Sequence, residues 1–219
     1  LEIIKRYADR LAYWCSEKDK GLYDAMNKGL ARATGNLIGI VNSDDFLEPG
    51  ALSHLVETWR SQPHADIYHG RMRLIRENDQ PSHIVTRPDD VRANRFNEIP
   101  ILHPATFVAR PCYQRLGVFD TSYRSAADYE FVLRCIERGA VFCPVPHVLS
   151  NMRLGGFSNK QFYLSFGEAR RLRLKYGCSL WEANYRYLRS CALFLLVHRL
   201  LPAVGLYGLY QSYRKGRKK

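Results

Sequence analysis

The chain has 219 residues, 46% of them hydrophobic and 25% charged, with a formal net charge of +12. That length supports a sizeable core, and the balance excludes a disordered or collagen-like chain. The positive charge predicts an anionic partner: nucleic acid, acidic lipid or a phosphorylated substrate.

Leu1–Trp14 carries apolar residues at 1, 3, 4, 7, 11 and 14, the period of a packing helix. Glu17-Lys18-Asp19-Lys20 is a charged loop, and a second helix opens after Gly21. The loop therefore lies at a helix N-terminus, where anions are favoured. Thr34-Gly35-Asn36 ends that helix and leads into Leu37–Val41, a β-branched apolar run. The run is expected to be a central strand, buried on both faces of a parallel sheet. It stops in Asn42-Ser43-Asp44-Asp45. Two adjacent carboxylates at the end of a buried strand repel each other and lose solvation. A divalent cation offsets that, and Mg²⁺ or Mn²⁺ takes carboxylate and phosphate oxygens. Ligands of open α/β sheets also sit outside the carboxyl ends of strands. A solvated Asp-rich turn capping the next helix accounts for the same residues, and from these residues alone both readings stand.

Further on, Ala51–Arg60 reads as a helix with the apolar face Leu52, Leu55, Val56 and Trp59. Ala65–Arg76 reads as a strand with Met72 and Leu74 on one side and Arg71 and Arg73 on the other. A turn at Glu77–Pro81 and a return strand at His83–Thr86 complete a hairpin. Pro88–Pro100 is irregular. His103, placed before Pro104, is expected in extended backbone, exposed at the start of a strand, Ala105–Ala109. A short helix, Pro111–Leu116, ends at Gly117, and Phe119 is a core residue. The next helix runs from Ala126 to Gly139, with Asp128 at its N-terminus, where capping alone would explain an acid, and Glu130 structural.

Two strands follow, Val141–Val145 and Val148–Arg153, then the loop Gly155-Gly156-Phe157-Ser158. Its free backbone N–H groups suit either a plain turn or a loop closing over a diphosphate. From Asn159 the chain is helical and basic: Gln161–Tyr176, Leu180–His198, Ala203–Tyr210 and the tail Tyr213–Lys219. Its apolar stretches are too short to span a bilayer. Helices lying on a membrane surface suit them, as does a helix packed on the domain. The six cysteines contain no Cys-x-x-Cys pair, which argues against zinc and for reduced thiols in a cytoplasmic protein. No block of glycines and aromatics of the kind that grips single-stranded nucleic acid is present, so no specific nucleic-acid partner is expected.

Several of these stretches form an ordered series. Ser16–Gly29, Ala33-Thr34-Gly35 and Asn42–Asp45 are followed by His103-Pro104-Ala105-Thr106-Phe107, Leu116–Asp120, Ala127-Asp128-Tyr129-Glu130 and Leu154–Ser158. The series closely resembles family 2 glycosyltransferases with the GT-A fold. The resemblance implies an α/β domain over residues 1–160, a GT-A-like, Rossmann-type mixed sheet with flanking helices, followed over residues 161–219 by basic amphipathic helices. It implies a metal-dependent, inverting transfer of sugar from a nucleotide-diphosphate donor, UDP foremost, to a glycan or lipid-linked acceptor. The setting implied is bacterial cell-surface polysaccharide synthesis at the cytoplasmic face of the membrane.

Carried over residue by residue, Asp45 with Asp44 would hold Mg²⁺ or Mn²⁺. Lys20, Asp24, Asn42 and Asp44 would contact the donor. Asp128 would be the base that takes the acceptor's proton, although Ala127 stands where the family often has Glu. His103 would border the acceptor cleft, Gly155, Gly156 and Ser158 would form a loop at the edge of the site, and Arg153 would neutralise the departing phosphate. Family members open with a strand and an Asp-containing loop that hold the nucleotide base, so the resemblance also implies a preceding segment of a few tens of residues. A non-catalytic basic module that binds membrane or nucleic acid is the competing reading. The acids argue against it, because a polyanion binder gains nothing from carboxylates in its cleft.

Overall fold

Strand β3 (Ile67–Ile75) has hydrophobic residues on both faces, and its first two residues, Ile67 and Tyr68, are 0% exposed. Alternation sends them to opposite sides of the sheet. Ile67 joins a cluster with Leu30, Val108, Phe131 and Ile136, and Tyr68 joins one with Leu55, Phe107, Val145 and Leu149. The structure, a computed structural model, describes residues 1–76, 80–97, 99–153 and 162–205, with His198 by its backbone alone. It divides into two compact units, Leu1–Lys160 and Gln161–Lys219.

In the first unit a short helix α1 (Glu2–Arg6) and a 3₁₀ turn (Ala8–Arg10) precede α2 (Leu22–Arg32). Then come β1 (Leu37–Gly39), β2 (Phe46–Leu47), α3 (Ala51–Ser61), β3 and β4 (Pro81–Val85). A 3₁₀ turn (His103–Ala105) leads into β5 (Thr106–Ala109), α4 (Arg110–Leu116), α5 (Ala127–Glu137) and β6 (Phe142–Arg153). The six strands form one mixed sheet in the order β1-β5-β3-β6-β2, with β4 also on β3. Only β3 and β6 run parallel; β1–β5, β3–β5, β3–β4 and β2–β6 are antiparallel.

Four elements differ from the sequence reading. Leu37–Val41 is not a central parallel strand: only three of its residues pair, antiparallel to β5, and β1 ends the strand order. Gly39 brings it close, since a Cβ there would overlap the Phe107 ring. The helix expected over Leu1–Trp14 stops at Arg6, and its apolar residues Ile3, Ile4, Leu11 and Trp14 are exposed. A one-turn helix without packing is marginal. On α3 the buried face is Ala51, Leu55 and the partly buried Trp59, while Leu52 and Val56 are exposed. These three sit at i, i+4 and i+8, the narrower stripe that faces a sheet.

The two strands expected around Pro146 are one strand, β6, with a bulge. Between the pairs His69↔Pro144 and Arg71↔Val148, β6 advances four residues while β3 advances two. Proline has no N–H for the ladder, so the ladder breaks where Pro146 lies. Gly70 sits opposite the bulge. A Cβ there would come 2.5 Å from Leu149 Cγ and 3.0 Å from the His147 carbonyl.

Helix α5 is buried along eight of its eleven residues. One of them is Glu130, structural as expected, which pairs with Arg134 at 2.8 Å. Arg134 also donates to the Leu116 and Val118 carbonyls, tying α5 to the end of α4. On α2, Tyr23, Asn27 and Leu30 face inward, and the Asn27 amide exchanges two hydrogen bonds with the Phe119 backbone at 2.9 and 3.0 Å.

The second unit pairs α6 (Phe162–Lys175) with α7 (Leu180–Leu195), followed by a π-helical turn (Leu196–Leu200) and a last turn, Leu201–Ala203. Among the described residues no helix is long and apolar enough to cross a membrane.

Two outcomes follow from this packing. Gly70→Ala should lower stability by roughly 1–3 kcal/mol, because Leu149 and a backbone carbonyl must both move; urea denaturation reads it, and an unchanged midpoint would refute the contact. His69 is buried, and burial lowers its imidazole to about 4. The unfolded chain takes up this proton near pH 6.5. Below that pH proton uptake shifts the balance towards the unfolded state, so stability falls as pH drops from 6.5 towards 4. The loss is about 1.4 kcal/mol per pH unit, roughly 3 kcal/mol in all. Comparing denaturation at pH 7 and pH 5, His69→Gln should remove this slope; an identical slope in both proteins would show that another group causes it.

Candidate active site

The backbone between β1 and β2 folds back on itself, with the Asp45 N–H donating to the Asn42 carbonyl at 3.1 Å. The Asp45 carboxylate is half-buried and held on both oxygens. Asn42 Nδ2 donates to Oδ2 at 3.1 Å, and the Arg153 backbone N–H donates to Oδ1 at 3.1 Å. Burial, the largest effect, raises its affinity for a proton, and the neighbouring Asp44 adds to this against the pull of those two donors. Asp44 is exposed. Its carbonyl accepts from the Arg153 guanidinium at 2.7 Å, and that guanidinium lies over the Phe46 ring. β2 pairs with Asn151 and Ser150 of β6, so Arg153, two residues on, arrives at the acid pair.

Asp128 stands in the first turn of α5. It is not the helix cap: Ala126 is, with no side-chain cap bond. Its Oδ1 accepts from the Tyr23 hydroxyl at 2.9 Å. Tyr23 is buried, and burial together with the Asp128 charge holds its phenol far above the usual range, so it stays a proton donor. His103 lies close enough to feel both acids. Burial pushes its imidazole below the usual range, while Asp128 and Asp45 pull it up. Its ring packs 5.9 Å from Phe119. A cavity of about 20 Å³ is lined by His103, Asp128, Ile38, Ile99 and Phe119; such a volume holds about one water.

His103 is not exposed in extended backbone as its position before Pro104 suggests. It is half-buried in a 3₁₀ turn. The Ala105 N–H and the Thr106 hydroxyl both donate to the buried Leu102 carbonyl at 2.8 Å, and satisfying that carbonyl closes the turn.

The residues predicted at the loop before α2 lie apart from these acids in their bonding. The Asp24 carboxylate accepts from the Lys20 backbone N–H at 2.9 Å, which lowers its proton affinity, and it pairs with Lys28 at 3.5 Å. Lys28 also meets Glu17 at 2.6 Å and Asp19 at 2.8 Å. The loop is thus gathered on one lysine. Beside it, Tyr13, Trp14, Glu17, Asp19, Lys28 and Arg32 border an open cavity of about 720 Å³. Gly155, Gly156 and Ser158 lie outside the described residues. Sequence reasoning missed Tyr23 and Lys28, although both stand inside the Ser16–Gly29 series. Tyr23 carried a signal: with Asn27 and Leu30 it falls on one helix face, the only hydroxyl there.

A divalent ion fits the acid pair by donor chemistry. Asp44 and Asp45 supply hard carboxylate oxygens, and the half-buried Asp45 carries a charge that burial disfavours. Among the described residues no third His, Cys, Asp or Glu joins them. That matches an ion bound by one or two carboxylates, with substrate phosphates completing its shell.

A mixed sheet flanked by helices, with acids outside strand ends, defines a GT-A-like glycosyltransferase fold. The same fold occurs in S. aureus TarS 1–349 solved in complex with UDP-GlcNAc, with a TM-score of 0.55 and 12% identity over 89% of this chain and 59% of that one. The model of the family "Glycosyl transferase family 2" matches residues 1–113. An uncharacterized glycosyltransferase of Mycobacterium tuberculosis is 30% identical over 189 residues, 82% of this chain and 70% of that protein. A PGL/p-HBAD biosynthesis glycosyltransferase of Mycobacterium bovis is 29% identical over 146 residues, 65% of this chain and 55% of that protein. The chain belongs to glycosyl transferase family 2.

Removing the donor to Asp128 tests the geometry directly. Tyr23→Phe should cost about 1 kcal/mol of stability with an unchanged circular dichroism spectrum. No loss on urea denaturation would mean that the phenol and the acid are not bonded in solution.

Proposed function

We propose that this chain transfers a sugar, with inversion, from a nucleotide-diphosphate donor, UDP foremost, to a glycan or lipid-linked acceptor. The observation that carries the reading is His103, which lines one cavity with Asp128 and feels the charge of both Asp128 and Asp45, acids from separate elements. Such a displacement requires an ion-holding acid and a proton-accepting acid, the roles assigned here to Asp45 and Asp128.

In this reading Asp45 and Asp44 hold Mg²⁺ or Mn²⁺, which when bound supplies charge neutralisation for the departing diphosphate. Asp128 acts at Oδ2, because Tyr23 occupies Oδ1. The acceptor hydroxyl gives its proton to that oxygen as it bonds the anomeric carbon. The bond from that carbon to the diphosphate breaks on the opposite face, and its electron pair leaves with the phosphate oxygen, which inverts the centre. The Arg153 guanidinium, at the Asp44 carbonyl, adds positive charge beside the same acids. Asn42, bonded to Asp45, would lie on the donor side. The ion-holding role of Asp45 finds support in its raised proton affinity, and the base role of Asp128 in its fixed carboxylate. The TarS complex with UDP-GlcNAc supports a nucleotide-sugar donor, and a relative named for PGL/p-HBAD biosynthesis supports sugar transfer in a biosynthetic pathway.

Thermal unfolding with UDP and other nucleoside diphosphates, with and without Mn²⁺, is the test. One nucleotide should stabilise the protein only with the ion, by about 2.7 kcal/mol at a hundredfold excess over Kd. Asp45→Asn should abolish the ion dependence. Asp128→Asn should keep it while slowing transfer by about a hundredfold or more. A folded protein that includes the preceding base-holding segment and still responds to no nucleotide overturns the reading.

A further inference from the structure

The chain's charge is unevenly distributed. Residues 161–219 contain twelve Lys and Arg against two Asp and Glu, +10 of the total +12. Residues 1–160, with twenty-one against nineteen, are close to neutral. The excess therefore lies in the second unit, separate in sequence from the acids of the site.

In that unit α7 uses one side to pack on α6. Phe194 stacks on Phe162 at 3.7 Å and meets Phe166 edge-on, Ala183 is buried, and Arg170 donates to Asn184 at 2.6 Å. The opposite side is apolar and open. Trp181 is 87% exposed, Tyr185 66%, Leu188 64% and Leu196 44%. They fall at i, i+4, i+7 and i+15, one stripe about 22 Å long. Arg189 and Arg199 are exposed beside it. Arg186 is neutralised by Glu182 at 2.7 Å.

We propose that this stripe is a docking surface for an anionic lipid bilayer. Trp181, Tyr185, Leu188 and Leu196 would enter the boundary between headgroups and acyl chains. Arg189 and Arg199 would lie on the headgroups. Three observations select this occupant. Trp and Tyr have an apolar body and a polar edge, which places them at that boundary. The net charge complements anionic lipid, whereas the core of a protein interface is depleted of charge. The helix is too short and too polar to cross, so it lies in the plane. Nucleic acid would use the charge and leave the leucines without a partner. The inference is independent of the donor-site reading, and nucleotide binding and lipid binding fail separately.

The test is flotation of the full chain with vesicles of phosphatidylcholine, alone or mixed with phosphatidylglycerol. Binding is expected to the mixed vesicles. Arg189→Glu should weaken it about fivefold or more. The double variant Trp181→Ser/Leu188→Ser should weaken it about tenfold, with unchanged circular dichroism. Should that variant fail to fold, brominated lipid provides a second measurement. It should quench part of the tryptophan emission of the native chain, and Trp181→Phe, at an exposed position, should lose that part. Equal binding of the native chain and the folded double variant overturns the proposal. So does quenching unaffected by Trp181→Phe, or a lipid-free self-association that the double variant abolishes, which would give the stripe to a second copy.

Discussion

The parallel pairing of β3 with β6 is the constraint on which the first unit depends. It separates the two clusters of buried side chains and sets the direction in which β6 leaves the sheet. Its consequence for the site is positional. β2 adds to the outer edge of β6 through Asn151 and Ser150, so the acids just before β2 meet Arg153 at the end of β6. Glu48 reinforces the corner, accepting from Arg73 of β3 at 3.0 Å and Asn151 of β6 at 2.8 Å, and Arg73 keeps that carboxylate below its usual range. The acid pair is thus fixed by its own turn at Asn42 and by the β2–β6 ladder that brings Arg153 to it.

Charge and burial then divide the labour among the acids. Asp24, exposed and beside Lys28, is held ionised and ties down a loop. Asp45, half-buried, resists ionisation because the loss of water outweighs its two donors. Asp128 has one oxygen fixed by a phenol that cannot readily lose its proton. Sequence chemistry is identical in the three; the surroundings differ, and environment decides the role of a carboxylate.

The local elements were legible because their signals are local. Helices α2, α3 and α5 show their period, and Gly117 and Gly139 take the positive φ that ends a helix. The places of Asp44 and Asp45 after a strand, of Asp128 in the first turn of a helix and of Glu130 in its register were legible in the local pattern. What remained hidden depends on partners far along the chain. Nothing within Leu37–Val41 says that its pairing is antiparallel and at the end of the strand order. Nothing near His103 reports that Leu102 must bury its carbonyl. Pro146 read as a gap between strands because a bulge and a break look alike until Gly70 is seen opposite it. Nothing near Tyr23 reports that its hydroxyl meets an acid on another helix, 105 positions away.

The bonds that hold these acids share one property, their span. Tyr23 and Asp128 are 105 positions apart, Asp45 and Arg153 108, and Glu48 and Asn151 103. Contacts of that separation form only after large loops have closed, which slows folding. Helices α2 and α5 can begin to form on their own timescale, yet neither can orient its half of the Tyr23–Asp128 pair alone. On a ribosome, a chain that has emerged only as far as α5 still lacks β6, so Asp45 keeps its water and an ordinary acidity. The raised proton affinity of Asp45 therefore comes into being late in the protein's life history, with the laying down of β6, and a chain cut short before Arg153 would carry that acid without the environment that distinguishes it.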